Sequence, residues 1–266
     1  MKKRLAIIGC GFLGNIVAKA CRDGLLEDYE LVAAMSRDHQ KARSLTALAG
    51  GKACLNLKEL LEEKPDYVLE MASVQSIRDM AVPVLRQGCS LVPLSIGAFS
   101  DRAFYEEVQA AAREGGAKVH IPSGAVGGFD VLQTISLMAH AEGAQLQAGI
   151  ETRKGPASLQ NTSLYEDALM TEEADRQVFC GTAQEAIALL PTKVNVAVAT
   201  ALASAGPEHT TARIVSVPGM AGDDHKLTVE MDGMKAVVDI YSRTASIAGW
   251  SVVALLRNLA SPVVFY

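Results

Sequence analysis

Four groups of residues in this chain have types and spacings that can do chemistry. Gly9, Gly11 and Gly14 stand at the spacing G-x-G-x-x-G directly after the apolar run 5–8. In that pattern the first glycine permits a sharp turn, the second lets a pyrophosphate approach the backbone, and the third lets the next helix lie close to the strand. The turn, with Phe12 and Leu13 between its glycines, is the candidate cradle for a dinucleotide, and the positive end of the following helix would face the phosphates. A tight strand-to-helix turn that binds nothing would look the same. Ser36 and Arg37 follow the second apolar run, where an NAD-selective site carries an acidic residue for the ribose hydroxyls. A small hydroxyl followed by a cation fits NADP, or use of both cofactors, although Arg37 can equally be a solvated loop residue. Arg153 and Lys154 are adjacent cations just past a strand, able to bind the carboxylates of a dicarboxylic substrate or simply to sit in solvent. His225 stands at the start of a strand after Gly222-Asp-Asp224, where a neighbouring carboxylate would orient the ring and hold its charged form. The other histidines have plainer settings: His39 opens a helix, His120 lies in a strand, His140 is in the last turn of a helix, and His209 is in a turn.

These residues need elements to position them, and the chain divides in two. In the first half strands alternate with helices. Residues 5–8, 29–35, 67–72, 90–95 and 118–121 read as strands, the first as a continuous apolar segment covered on both faces. Leu13, Ile16, Val17 and Ala20 form a helical stripe, and further helices are expected over 38–49, 57–64, from 73 to about 88, and over 101–114. Pro93 marks the strand around it as an edge or a short element. After Pro122 the pattern changes to a small-residue loop, 123–128, and an amphipathic helix from 129 to about 141. Strands 145–152, 212–217, 225–231 and 236–241 follow, with helices over 183–190 and 193–203 between the first of them and the rest. An apolar helix over 245–258, with Ile247, Trp250, Val253, Ala254 and Arg257 spaced along it, is expected to return and cover the first domain. The fold class is therefore α/β: an N-terminal Rossmann domain built on a doubly wound parallel sheet, and a second α+β domain with a mixed sheet. The expected domains are 1–122 plus 242–266 for the dinucleotide, and 123–241 for substrate and oligomerisation.

Composition excludes several classes. A chain of 266 residues with 49% hydrophobic content can bury the cores of two domains. A net charge of −5 without a basic block argues against nucleic acid as a partner. Met1-Lys-Lys-Arg4 precedes an apolar stretch, but Gly9, Gly11 and Asn15 break it, so it fails as a signal peptide, and no run has the length of a membrane span. The 5 cysteines show no CxxC pair or His-rich neighbourhood, which points to free thiols in a reducing cytoplasm and no metal site. Strands rich in Val, Ile and Leu, with an apolar C-terminus, exceed what a small domain buries alone, so a homodimer is expected.

Several segments together resemble the L-aspartate dehydrogenase family. They are Ile8-Gly-Cys-Gly-Phe-Leu-Gly14, the loop Ile121-Pro-Ser-Gly-Ala-Val-Gly-Gly128, Thr152-Arg-Lys-Gly-Pro156, Pro191-Thr-Lys-Val-Asn-Val-Ala197 and His225-Lys-Leu-Thr-Val-Glu-Met-Asp-Gly233. The resemblance spans nearly the whole chain, and the Pro-Ser-Gly-Ala-x-Gly-Gly loop and the Asn-Val-Ala segment are its more specific parts. It implies a nicotinamide cofactor, NAD or NADP, a second domain that holds substrate and pairs subunits, and oxidative deamination of aspartate feeding NAD biosynthesis. It also implies cofactor contacts at Ala125 and Asn195 and a catalytic histidine at His225. Chemistry allows these roles: Ala125 among glycines offers backbone at close range, although a tight turn uses the same residues. Asn195 near a helix start can bind a ligand or cap its own helix. Two other readings stay open. One is a reductase or dehydrogenase for another small amino or imino acid, as in the dihydrodipicolinate reductases; the other is a non-catalytic protein that binds NAD(P).

Overall fold

A computed structural model describes residues 1–190 and 195–265, which form two compact units. The first comprises Met1–Gly124 and the C-terminal segment from Ala245, and the second Ala125–Thr244.

The first unit is built on a parallel sheet of β1 (Lys3–Ile8), β2 (Tyr29–Met35), β3 (Lys52–Cys54), β4 (Tyr67–Glu70) and β5 (Ser90–Pro93). Their order is β3-β2-β1-β4-β5, so the chain reverses its direction of winding between β1 and β4. Leu5, Ala6 and Ile7 are fully buried, as an apolar strand between two helical layers requires. The helices are α1 (Phe12–Arg22), α2 (His39–Ala49), α3 (Leu57–Glu62), α4 (Val74–Arg86) and α5 (Arg102–Gly115). Asp38, Asn56, Ser73 and Asp101 cap α2, α3, α4 and α5 through their side chains, so local sequence sets where each helix starts. β5 is the last of the five strands, short, and ends at Pro93. The strand expected at 118–121 is reduced to one isolated parallel bridge, Leu91 to Val119.

The second unit holds α6 (Phe129–Glu142), β6 (Gln147–Lys154), β7 (Arg176–Thr182), α7 (Ala183–Leu189), α8 (Asn195–Leu202), β8 (Thr210–Ser216), β9 (Asp223–Met231) and β10 (Met234–Ser242). Its sheet runs β10-β9-β6-β8-β7, with β6 and β8 parallel and the remaining pairs antiparallel, which makes it mixed. β7 was not legible beforehand. A register shift between Gln177 and Phe179 and partial exposure on both faces hide its alternation.

The terminal helix α9 (Ser246–Ala260) belongs to the first unit, where it packs on α1. Tyr29 donates its hydroxyl to Leu256 O at 2.7 Å, and Arg257 donates to Leu25 O at 2.8 Å. The buried face of α9 differs from the expected stripe: Gly249, Val252, Val253 and Leu256 turn inward, whereas Trp250 is 48% exposed. Spacing i, i+3, i+4, i+7 identifies that inner face once a neighbour exists to define it.

Candidate active site

The glycine turn lies at the carboxyl end of β1, beside the point where winding reverses. Gly9 adopts φ +101, and a Cβ there would stand 2.5 Å from Met71 C and 2.8 Å from Ala72 N. A Cβ on Gly14 would overlap Gly9 O. Both glycines are therefore dictated by the protein's own packing. Gly11 is different: a Cβ there would meet nothing within 4 Å. Open space beside a backbone that needs no glycine is what a pyrophosphate approaching the chain would occupy. The first turn of α1 carries no acidic residue and no side-chain cap, which leaves its amide groups for an anion. The turn therefore fits a dinucleotide. Phe12 is 63% exposed and Leu13 half-buried. Cys10 is packed filler. Its thiol donates to Met35 O at 3.5 Å, and burial pushes its pKa up to about 11.

At the tip of β2, Ser36 is half-buried and Arg37 exposed, and no ion pair to Arg37 is found among the described residues. Asp38, the next residue, caps α2 by accepting from Gln40 N at 3.1 Å. Its charge is thereby committed to the helix rather than left at the strand tip.

In the second unit, Ala125 is half-buried within the small-residue loop, and Asn195 is the first residue of α8. The Pro191-Thr-Lys part of the motif before Asn195 lies outside the described residues, as do positions 193–194 of the expected helix. Antiparallel pairing sets Thr152 of β6 opposite His225 of β9, and Lys154 opposite Asp223. The consequence is a compact polar group at one end of this sheet. Thr152 Oγ1 lies 3.0 Å from His225 Nδ1, and Lys154 Nζ lies 3.5 Å from Asp223 Oδ1. His225 is 5% exposed.

Two sequence expectations are corrected here. The ring partner of His225 is the Thr152 hydroxyl, not a carboxylate, and the imidazole is not held in its charged form. Burial pushes its pKa down to about 4, with Lys154 adding to the fall and Asp223 opposing it. Nor do Arg153 and Lys154 act as a pair. Successive residues of a strand point to opposite faces, so Lys154 shares the His225 face while Arg153 turns away. Arg153 is engaged there with Asp175, and with Glu151 at 3.8 Å. Thr152 was missed because nothing local marks a strand threonine; only its cross-strand register does.

Elsewhere His120 is half-buried with its ring 5.9 Å from Tyr67, its pKa lowered by burial, and His140 and His209 are exposed. Among the described residues no group of His, Cys, Asp and Glu is placed to hold a metal, and no helix is long and apolar enough to cross a membrane.

Two family models match successive parts of the chain. Residues 9–122 match the family described as homoserine dehydrogenase, NAD binding domain, and residues 135–259 the family described as aspartate dehydrogenase, C-terminal. The chain is 30% identical over 272 residues to the L-aspartate dehydrogenase of Methanosarcina mazei, covering 98% of each chain. It is 29% identical over 269 residues to that of Methanocaldococcus jannaschii, again covering 98% of each. The crystal structure of aspartate dehydrogenase from Thermotoga maritima covers 100% of both chains at 24% identity, with a TM-score of 0.75, and shows the same fold.

Proposed function

The chain belongs to the L-aspartate dehydrogenase family, and from that premise we propose that it oxidises L-aspartate with NAD or NADP to iminosuccinate, which water converts to oxaloacetate and ammonia. The observation that carries this reading is the match to L-aspartate dehydrogenases over 98% of the chain, through both units. The product would feed pyridine-nucleotide biosynthesis. When bound, the nicotinamide supplies the hydride acceptor.

The chain's own residues do the rest. The glycine turn and the free amides of α1 bind the diphosphate. Ala125 and Asn195 contribute further cofactor contacts from the loop and from α8. Lys154, its side chain 14% exposed, offers an ammonium to a substrate carboxylate. His225 handles protons: a neutral imidazole at pH 7 accepts one from the amine or from the water that attacks the imine. The Thr152 hydroxyl at Nδ1 fixes the ring's orientation and leaves Nε2 for the reaction. The two carboxylates of a bound aspartate would raise the pKa of His225 from about 4, toward the range where acid–base catalysis is most effective.

Free thiols throughout support a cytoplasmic setting. Exposed Val237 and Tyr241 on β10 support a homodimer formed through the second unit.

The direct test follows nicotinamide absorbance with a panel of amino and imino acids. Turnover with aspartate is the expected result. Turnover restricted to another substrate would favour an imine reductase or related dehydrogenase, and cofactor binding without turnover a non-catalytic role.

A further inference from the structure

We propose that Glu70 is the positioning residue that holds the cofactor-facing turns of the first unit in their binding conformation before a dinucleotide arrives. This rests on the reading that NAD or NADP binds at the glycine turn. Glu70 is the last residue of β4 and is 0% exposed. A carboxylate in such a place is strongly disfavoured unless it is hydrogen-bonded, and here it is. Its Oε1 accepts from Ala72 N and Ser73 N, both at 2.8 Å, and its Oε2 from Ser95 N at 3.2 Å.

The first two amides belong to the turn between β4 and α4, and the third to the turn that follows β5. One side chain thus joins two successive strand-to-helix turns at the carboxyl ends of neighbouring strands. Ligands of doubly wound sheets bind in the crevice outside those ends, at the reversal between β1 and β4. The turn is also in direct register with the fingerprint. Met71 N donates to Ile8 O at 2.8 Å, and a Cβ on Gly9 would meet Met71 and Ala72 backbone. Any movement of residues 71–73 changes the space beside Gly9.

An apolar side chain of the same size would fill the volume but leave three amides without an acceptor. The carboxyl group is therefore there for its acceptor geometry: burial pushes its pKa up and the amides of Ala72, Ser73 and Ser95 oppose that rise, so displacing either turn leaves a desolvated group without its donors.

The experiment compares full-length wild type with Glu70→Gln for binding of NADH and NADPH by fluorescence titration, and for steady-state kinetics. Glutamine keeps one acceptor for Ala72 and Ser73 but sets an NH2 against Ser95 N–H. The expected result is a dissociation constant raised about tenfold, the scale of one lost charge-assisted hydrogen bond, with KM for aspartate at saturating cofactor changed less than about twofold. A role in stability alone would shift both constants together or neither, and either pattern overturns the proposal. Wild-type protein that binds neither dinucleotide overturns the cofactor reading itself, and the proposal with it. Should Glu70→Gln fail to fold, amide hydrogen exchange on the wild type decides. Protection of Ala72, Ser73 and Ser95 amides in the free protein is expected, and fast exchange that slows only on adding NADH overturns pre-organisation.

Discussion

Burial, rather than a charged partner, sets the behaviour of His225, and this has two measurable effects. The ring is neutral in the folded protein down to about pH 4, whereas in the unfolded chain it takes a proton near 6.5. Its contribution to stability is present above about 6.5 and is lost as pH falls toward 4, by about 3 kcal/mol across that window. Urea titrations at several pH values should show wild type losing more stability than His225→Gln between those limits; equal slopes would mean the ring is not buried neutral. For catalysis, His225→Asn should lower turnover about 100-fold, the usual loss for a general acid–base, with cofactor affinity unchanged. A variant with near-normal turnover would move the proton-handling role to Lys154. The two adjacent cations should also separate cleanly. Lys154→Ala should raise KM for aspartate about tenfold or more, while Arg153→Ala should leave it within about twofold, because Arg153 faces away and is occupied by Asp175 and Glu151.

Junctions between elements decide cofactor choice and the attachment of α9. At the β2–α2 junction the helix cap takes the Asp38 carboxylate, and Arg37, two residues past the end of β2, is exposed with no ion pair among the described residues. Arg37→Ala should raise KM for NADP far more than KM for NAD, and equal effects would remove Arg37 from cofactor selection. On α9, Gly249 lets the helix approach α1 closely: a Cβ there would lie 2.8 Å from Ile16 Cδ1 and 3.2 Å from its Cβ. Gly249→Ala should therefore destabilise the wild type by about 1–3 kcal/mol through overpacking. Ile16→Ala removes Cδ1 but keeps a Cβ at 3.2 Å, so in that background the same change should cost less, by about 1 kcal/mol. Thermal unfolding of the four variants closes this cycle, and an equal cost in both backgrounds would mean that the contact with Ile16 does not limit the packing.

For the molecule as a whole, the mixed sheet of the second unit leaves a row of residues outward on β10. Val237 is 47% and Tyr241 53% exposed, and the alternation that buries His225 and Leu227 on β9 points these β10 side chains the other way. Apolar groups set among Lys235 and Asp239 on this face are what the proposed pairing with a second copy of the chain would cover. Sedimentation at micromolar concentration should give a dimer, and Val237→Lys should shift it toward monomer. A wild-type monomer would remove the second unit from assembly.

The sequence by itself determined most of the elements and the glycine turn, because these depend on local patterns; the short β3 and the irregular β7 carry no such pattern. The continuous apolar run of β1, the caps Asp38, Asn56, Ser73 and Asp101, and the glycine spacing each act within a few residues. It could also nominate His225, from residue type and the motif around it. Tertiary structure alone decided what each candidate faces. Strand pairing joined Thr152 to His225 across 73 positions of chain, and strand alternation split Arg153 from Lys154. Desolvation then overrode the nearby carboxylate and made the ring neutral. The buried face of α9 and the buried carboxylate of Glu70 belong to the same class. A helix stripe has no inner side until a partner such as α1 packs on it, and a charge within an apolar strand has no reason until the amides of Ala72, Ser73 and Ser95 converge on it.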